Sequence, residues 1–382
     1  MENFYIASIC LTENIGSIRG KYLLEHFGSG KAVWSAANEE LEKTNLAPSI
    51  INELINFRQL HPDCPEQLKN YCEKKKIKLC SIKDPVYPEI LKSMADAPLL
   101  LYYKGELIPN EARVSIVGTR TPTPYGLRVA TNFAEKLAMN GITIVSGAAI
   151  GIDTAAHKGA MKYGRTIAIL GEGLEAVSSN DKRQFLDRII ENGAVISEYS
   201  PNAHSNKKGM FPQRNRIIAG LSIGVVVVEG GKSSGAMNTA QHAGNYGRLL
   251  FAVPGNIFSE KSAGCHELIR DGAILVRSAE DVLEDCKFNI DYTVLPIDDK
   301  NKINNKSKIN IKSPKAKVID LPPLEGDDDL VFQMIPSDIG ISADEIMMKL
   351  EEIESSKLSN ILLNLEIKGY IEVDGIGNYI RI

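Results

Sequence analysis

The sequence predicts an α/β protein built on a Rossmann-like, doubly wound and mainly parallel sheet. A small N-terminal helical domain of helix-hairpin-helix or SAM-like type and a C-terminal winged-helix domain are expected to flank it. Three observations carry this. Short apolar runs recur at Val114–Val117, Ile142–Val145, Thr166–Leu170, Ala194–Ser197, Val225–Val228 and Leu249–Val253, and uninterrupted runs of this length fit strands covered on both faces. Helical stretches such as Gly126–Met139 and Gly151–Tyr163 alternate with them, which is the signature of parallel β-α units. The chief run ends lead into small-residue loops, and ligands of doubly wound sheets bind at the carboxyl ends of strands.

Residues 1–70 read as short helices, with apolar residues at helical spacing in Tyr22, Leu23, Phe27 and in Ile50, Ile51, Leu54, Ile55. The turn Ile15-Gly16-Ser17, followed by a helix ending near Gly28, has the form of a hairpin that can offer backbone amides to DNA phosphate. The corresponding second hairpin near Leu46–Ser49 lacks its glycine, and a packing module is the preferred reading. Residues 77–287 hold the core. Residues 288–325 read as a linker: Asp299–Lys317 carries seven lysines with Asn, Ser and one Pro, a flexible and solvated composition. Residues 326–382 read as three helices and a two-stranded wing around Asp374-Gly375-Ile376-Gly377, with a capped helix start at Ile341-Ser342-Ala343-Asp344. From Asp327 onward there are 12 acidic and 4 basic residues. A phosphate-contacting domain should lean basic, so this one is expected to serve protein contacts or structure.

Composition narrows the classes. The 382 residues are 43% hydrophobic and 24% charged, with a net charge of -4, which is ordinary for a globular chain and excludes a uniformly polybasic coat protein. Between Arg113 and Cys286 there are 19 basic and 16 acidic residues, so any nucleic-acid site must arise from placement of cations. The six cysteines form no C-x-x-C pair and the six histidines no H-E-x-x-H, leaving no metal spacing. No cofactor is expected. No signal peptide is read at Met1–Ile6, and no run approaches the roughly 20 apolar residues of a membrane span. A cytoplasmic protein with free thiols and no membrane partner is expected.

Four loops stand out. Val117-Gly118-Thr119-Arg120 ends a strand and opens a helix, where free amides and the helix dipole favour an anion. Ser146-Gly147-Ala148-Ala149-Ile150-Gly151-Ile152-Asp153 has glycines suited to close approach and positive φ. Phe211-Pro212-Gln213-Arg214-Asn215-Arg216 places two arginines two residues apart, one to face the site and the other to brace the fold. Glu229-Gly230-Gly231-Lys232-Ser233-Ser234-Gly235 is a plausible phosphate cradle. Arg120, Arg214, Lys232 and Arg248 are expected to meet at one sheet edge. No Walker A loop is present, because Val226 stands where its first glycine would be. Gly171-Glu172-Gly173-Leu174-Glu175-Ala176 matches G-x-G-x-x-A after a strand, with Glu198 as an open ribose-binding candidate. His157 and Asp153 could form an acid-base pair; organising the loop by hydrogen bonds is preferred.

The order of Tyr87-Pro88, Val117-Gly118-Thr119-Arg120 with Tyr125-Gly126, Ser146-Gly147 through Gly151-Ile152-Asp153 to His157, Phe211-Pro212 with Arg214-Asn215-Arg216, Ser234-Gly235, and Gly247-Arg248 before Pro254-Gly255 resembles the DprA/Smf family from about residue 80 to 285. The chain departs from it at Glu175-Ala176-Val177-Ser178, where the family has Tyr-Pro, and at Cys265-His266, where it has asparagine. The resemblance implies a homodimeric, non-catalytic protein that binds and protects single-stranded DNA and loads the RecA recombinase during natural transformation. It places DNA contacts on Arg120, Ser146, Gly147, Arg214, Arg216 and Lys232. Gly118, Gly151, Asn215, Ser234, Gly235 and Arg248 complete the expected DNA-binding set, and no catalytic residue is expected. The alternative is a Rossmann-like enzyme similar to nucleoside monophosphate phosphoribohydrolases. Its P-G-G-x-G-T-x-x-E loop ends on an acid, whereas here the matching Gly230-Gly231-Lys232-Ser233-Ser234 stretch runs on through Met237 to Asn238 without one.

Overall fold

The computed structural model describes residues 1–204, 210–293, 324, 326–336, 340–350, 353–368, 370–373 and 378–381. Most of the expected linker and the wing turn 374–377 lie outside them. The chain divides into two compact units, Met1–Leu295 and Pro296–Ile382.

The first unit opens with six helices: α1 (Glu2–Cys10), α2 (Ser17–Phe27), α3 (Gly30–Ser35), α4 (Asn38–Glu42), α5 (Pro48–Leu60) and α6 (Cys64–Lys74). Then follow β1 (Lys78–Ser81), α7 (Glu89–Lys92), β2 (Leu100–Gly105), β3 (Arg113–Val117), α8 (Pro124–Met139), β4 (Thr143–Ser146), α9 (Ile152–Met161), β5 (Thr166–Leu170), α10 (Asn180–Glu191) and β6 (Ala194–Ser197). The unit closes with α11 (Met210–Gly220), β7 (Gly224–Val227), α12 (Gly235–Asn245), β8 (Leu249–Ala252), α13 (Ala263–Arg270), β9 (Ile274–Leu275) and α14 (Ala279–Thr293). The last helix runs through residues 288–293, where the sequence suggests the head of the linker.

The nine strands form one sheet in the order β1-β2-β6-β5-β4-β3-β7-β8-β9. Strands β6 to β9 pair in parallel, while β2 is antiparallel to both β1 and β6. From β3 the chain winds outward through β4, β5 and β6, then returns to β7 on the other side. The topological switch point therefore lies between β3 and β7, where a doubly wound sheet opens its ligand crevice.

The apolar runs form these strands because β3 to β7 are buried along their whole length, and alternate residues enter different cores. Val114 and Ile116 pack with Ala130, Phe133, Leu137 and Ile152 of α8 and α9. On the other face Val225 and Val227 pack with Ile217, Ile218 and Ala240 of α11 and α12. The six expected strands appear within about a residue of their predicted bounds. The edge pair β1-β2 is not legible in the sequence, because β2 finds its partner β6 some ninety residues on and no local turn announces it.

The N-terminal helices share a core with the sheet: Ile6, Leu23, Leu54 and Cys72 cluster with Leu100, Tyr102, Leu170 and Val195. Asn3 Nδ2 donates to Leu79 O (3.2 Å) and to Asp84 Oδ2 (2.7 Å), and Tyr71 Oη to Asn202 Oδ1 (2.7 Å).

In the second unit α15 (Asp327–Met334), α16 (Ala343–Lys349) and α17 (Ser355–Ile367) precede the antiparallel pair β10 (Ile371–Val373) and β11 (Tyr379–Arg381). Ser342 caps α16 in a capping box with Glu345. Val331, Ile346, Leu358, Leu362, Leu365 and Ile371 form its core. Among the described residues no helix is long and apolar enough to cross a membrane.

Candidate nucleic-acid interface at the carboxyl rim of the sheet

The loop after β3 abuts the loop after β7. Thr119 N donates to Glu229 O at 2.7 Å. The buried Glu229 carboxylate then reaches the start of α8, accepting from Thr123 N (2.9 Å) and Thr123 Oγ1 (2.5 Å). Thr123 in turn caps Gly126 N at 3.1 Å. This corrects the expectation of an open anion site at this helix start: the protein's own carboxylate fills it, which satisfies the first-turn amides and the helix dipole. Gly126 is required there, since a Cβ would lie 2.3 Å from Glu229 Oε2. Gly118 is equally confined, between Ile152 and Glu229 O. Arg120 extends from the same loop and is exposed.

The loop after β4 is closed by Asp153, which accepts from Gly147 N (3.1 Å) and Ala149 N (3.4 Å). Ser146 is buried and its hydroxyl donates to Ile116 O at 2.6 Å, so this expected DNA contact is turned inward. Gly151 has the positive φ expected of it, +88°. Gly147 does not; the left-handed residue is Ala148, at +50°. Gly147 is needed for a close approach instead, because a Cβ would meet Arg214 Nη2 at 2.6 Å.

Arg214 is only 5% exposed. Its Nη1 donates to Gly147 O at 2.7 Å and to Ile169 O, joining the carboxyl ends of β4 and β5 from beneath. Burial draws its guanidinium below the ordinary arginine value, and Arg120 adds to this while Asp153 opposes it. Burial raises the Asp153 carboxyl, opposed by the charge of Arg214 and the loop amides. Arg216 is also committed: Nη2 meets Glu198 Oε1 and Oε2 at 2.5 and 2.6 Å, and Nη1 donates to Asp96 O at 2.6 Å. Of the arginine pair, both brace the fold and neither is the open cation expected at the rim. Asn215 Nδ2 donates to Gly235 O (3.3 Å) and to Asn238 Oδ1 (3.2 Å), tying α11 to α12.

Glu198, open as a ribose ligand on sequence grounds, is spent on Arg216 and on Ser17 Oγ, which donates to it at 2.8 Å. A carboxylate of the core thus sits at the start of α2, on the turn where a phosphate-binding hairpin would need its amides open. The Gly171–Ala176 turn is not a dinucleotide loop: Gly173 N donates to Ala203 O (2.7 Å) and Glu175 N to Pro201 O (2.8 Å), and a Cβ on Gly173 would strike Ser200 O at 2.2 Å.

Lys232 lies in the turn between β7 and α12. Its side chain is 67% exposed and its Nζ meets Glu267 of α13 at 2.5 Å. The turn is held by Gly230 N donating to Lys261 O (2.6 Å) and Ser234 N to Gly231 O (2.9 Å). The buried Cys265, one of the departures in sequence, lies behind it with Sγ 3.5 Å from Val227 O. Helix α12 begins at Gly235 with no side-chain cap from Ser234. Among the described residues no carboxylate accepts from its first-turn amides as Glu229 does at α8.

Arg248 is elsewhere. It precedes β8, whose Leu249 pairs with Gly224 at the start of β7, so it lies at the amino edge of the sheet. Its Nη2 donates to Ile90 O (2.7 Å), Ser93 Oγ (3.0 Å) and Gly220 O (3.0 Å). The expectation of four cations at one edge therefore fails for Arg248: in a parallel sheet, a residue just before a strand and a residue just after one lie at opposite ends. Arg120, Arg214 and Lys232 do stand at the carboxyl rim.

His157 does not pair with Asp153. Thr166 Oγ1 donates to Ile144 O at 2.8 Å, so it accepts from His157 Nδ1 at 2.6 Å. Burial pushes this imidazole down to about 3, with Arg214 adding to the effect. Among the described residues no cluster of three or more His, Cys, Asp or Glu could hold a metal.

Fold and rim define a doubly wound α/β protein whose strand-end loops carry glycines and cations around a β3-β7 switch point. The chain belongs to the DNA recombination-mediator protein A family, whose model matches residues 78–287. It is 38% identical over 251 residues to the DNA processing protein DprA of Bacillus subtilis, covering 65% of this chain and 83% of that protein. It is 43% identical over 210 residues to DprA of Streptococcus pneumoniae, covering 54% and 74%. The solved structure of the pneumococcal protein superposes with a TM-score of 0.65 at 34% identity, over 75% of this chain and 98% of that one. A Helicobacter pylori DprA structure, which describes a single-stranded DNA binding mode of that protein, gives 0.50 at 29% identity, over 56% and 97%.

Proposed function

We propose that this chain binds single-stranded DNA along the carboxyl rim, without catalysis, and passes it to a RecA-type recombinase. The observation that carries this is the placement of exposed Arg120 and Lys232 on the two loops that flank the β3-β7 switch point. Backbone phosphates are held there by charge and by the uncapped start of α12, which gives affinity with little sequence preference. Ser234 and Gly235 belong to that helix start. Arg214, Gly147 and Gly151 shape the rim from below. The chain acts as a homodimer in this reading, so that two rims engage one strand and raise avidity. The second unit has the helix order and terminal hairpin of a winged helix; its acidic balance assigns it to protein contacts.

The hydrolase alternative is less well supported, since the spacing of its loop puts the acid at Met237, and the next residue, Asn238, is an amide engaged with Asn215. The test is a gel-shift series on single strand and duplex, with and without RecA. Preferential retention of single strand that depends on Arg120 and Lys232 supports the reading. Equal duplex binding, or release of free base from nucleoside monophosphates, overturns it.

A further inference from the structure

Phe258 is 90% exposed and its neighbour Ile257 77% exposed, on the loop that follows β8. The loop is tied down. Phe258 N donates to Asn256 Oδ1 at 2.9 Å, and Ser259 N to Asn256 O at 3.0 Å. Tyr125 Oη, at the start of α8 just beyond Arg120, donates to Pro254 O at 2.8 Å. Lys261 O accepts from Gly230 N, in the turn that carries Lys232. A fixed loop thus holds an aromatic ring in water beside the loops of both rim cations. A lone exposed aliphatic needs no explanation; a nearly bare phenyl ring next to a phosphate-holding turn has a chemical use.

We propose that Phe258 is a stacking platform for a nucleobase of the strand whose phosphates lie against Lys232. This rests on the single-strand reading of the rim. Proteins that hold single strands combine a cationic track with aromatic faces, because every base has a π-face and stacking tolerates any sequence. A duplex keeps its bases stacked and paired, so the platform also favours single strand. The sequence suggests little stacking because the core is poor in aromatics, but one ring placed at the rim suffices for one base.

The test uses the full chain with Phe258→Ala, Phe258→Leu and Phe258→Trp, an oligothymidylate and an abasic strand of equal length, read by fluorescence anisotropy. Phe258→Ala and Phe258→Leu weaken oligothymidylate binding about tenfold at unchanged salt slope. Neither alters abasic-strand binding, and Phe258→Trp restores affinity. In a Trp34→Phe background the new indole is quenched by oligothymidylate but not by the abasic strand. Wild-type binding with an indifferent Phe258→Ala overturns this proposal alone, as does an equal loss on the abasic strand. A change only in sedimentation does so too, showing that the ring packs against a second copy. Failure of the wild type to bind any strand removes both this proposal and the reading beneath it.

Discussion

Glu229 holds Thr123 with both carboxylate oxygens, Oε2 on the backbone amide at 2.9 Å and Oε1 on the hydroxyl at 2.5 Å. The bond spans the switch point, joining the end of β7 to the first turn of α8. It replaces an external anion with an internal one.

Removing that carboxylate leaves a half-buried amide and hydroxyl without their acceptor. Glu229→Ala is expected to destabilise the fold by about 2 kcal/mol, measured as a shift in the urea midpoint at constant slope. Glu229→Gln, which keeps one acceptor, should lose less. An unchanged midpoint in the alanine variant would show that the contact contributes nothing to the fold.

Arg214 separates structure from binding. Arg214→Ala removes the tie between β4 and β5 and leaves the buried carbonyls of Gly147 and Ile169 without their donor, at a cost of about 1–3 kcal/mol. Gly147→Ala forces the same guanidinium aside. Both should lower the melting temperature before any effect on DNA is read. Wild-type melting in either variant would mean that Arg214 is not the brace described above.

Arg120→Ala and Lys232→Ala should leave stability within about 0.5 kcal/mol, as surface changes do. Each should weaken single-strand binding for every sequence and reduce the salt slope by about 1. Lys232 is partly neutralised by Glu267, so Glu267→Gln should tighten binding a few-fold at low salt and have no effect at high salt. A titration across salt concentrations decides all three. Unchanged affinity and slope in both cation variants would remove the rim as the binding site.

His157 makes stability depend on pH. Its folded value, about 3, lies below the ordinary 6.5. Between those values the unfolded chain binds a proton that the folded chain refuses. Stability from this group is complete above about pH 6.5 and falls on acidification by up to ~1.4 kcal/mol per unit. Denaturation from pH 7.5 to 5 should show this slope, and His157→Asn should reduce it. Equal slopes in both proteins would mean that His157 is not the group responsible.

The sequence by itself determined the alternating elements, because the core strands are short uninterrupted apolar runs, most of them buried on both faces, and helical stretches separate them. It also marked the loops, because glycine, serine and arginine at strand ends are local chemistry. It could not tell which arginines are exposed at the rim. Arg120, Arg214, Arg216 and Arg248 look alike in sequence. Arg214 is buried by the carbonyls of Gly147 and Ile169, Arg216 is paired by Glu198, and Arg248 lies at the opposite edge; these partners are, apart from Glu198 itself, tens of residues away. Only the tertiary structure decided this, since a guanidinium's partners are set by which strand ends and loops the crossovers bring together. The same holds for Glu229, whose carboxylate fills the helix start that local sequence leaves open, and for Phe258, whose loop after β8 is bonded to the turn that carries Lys232.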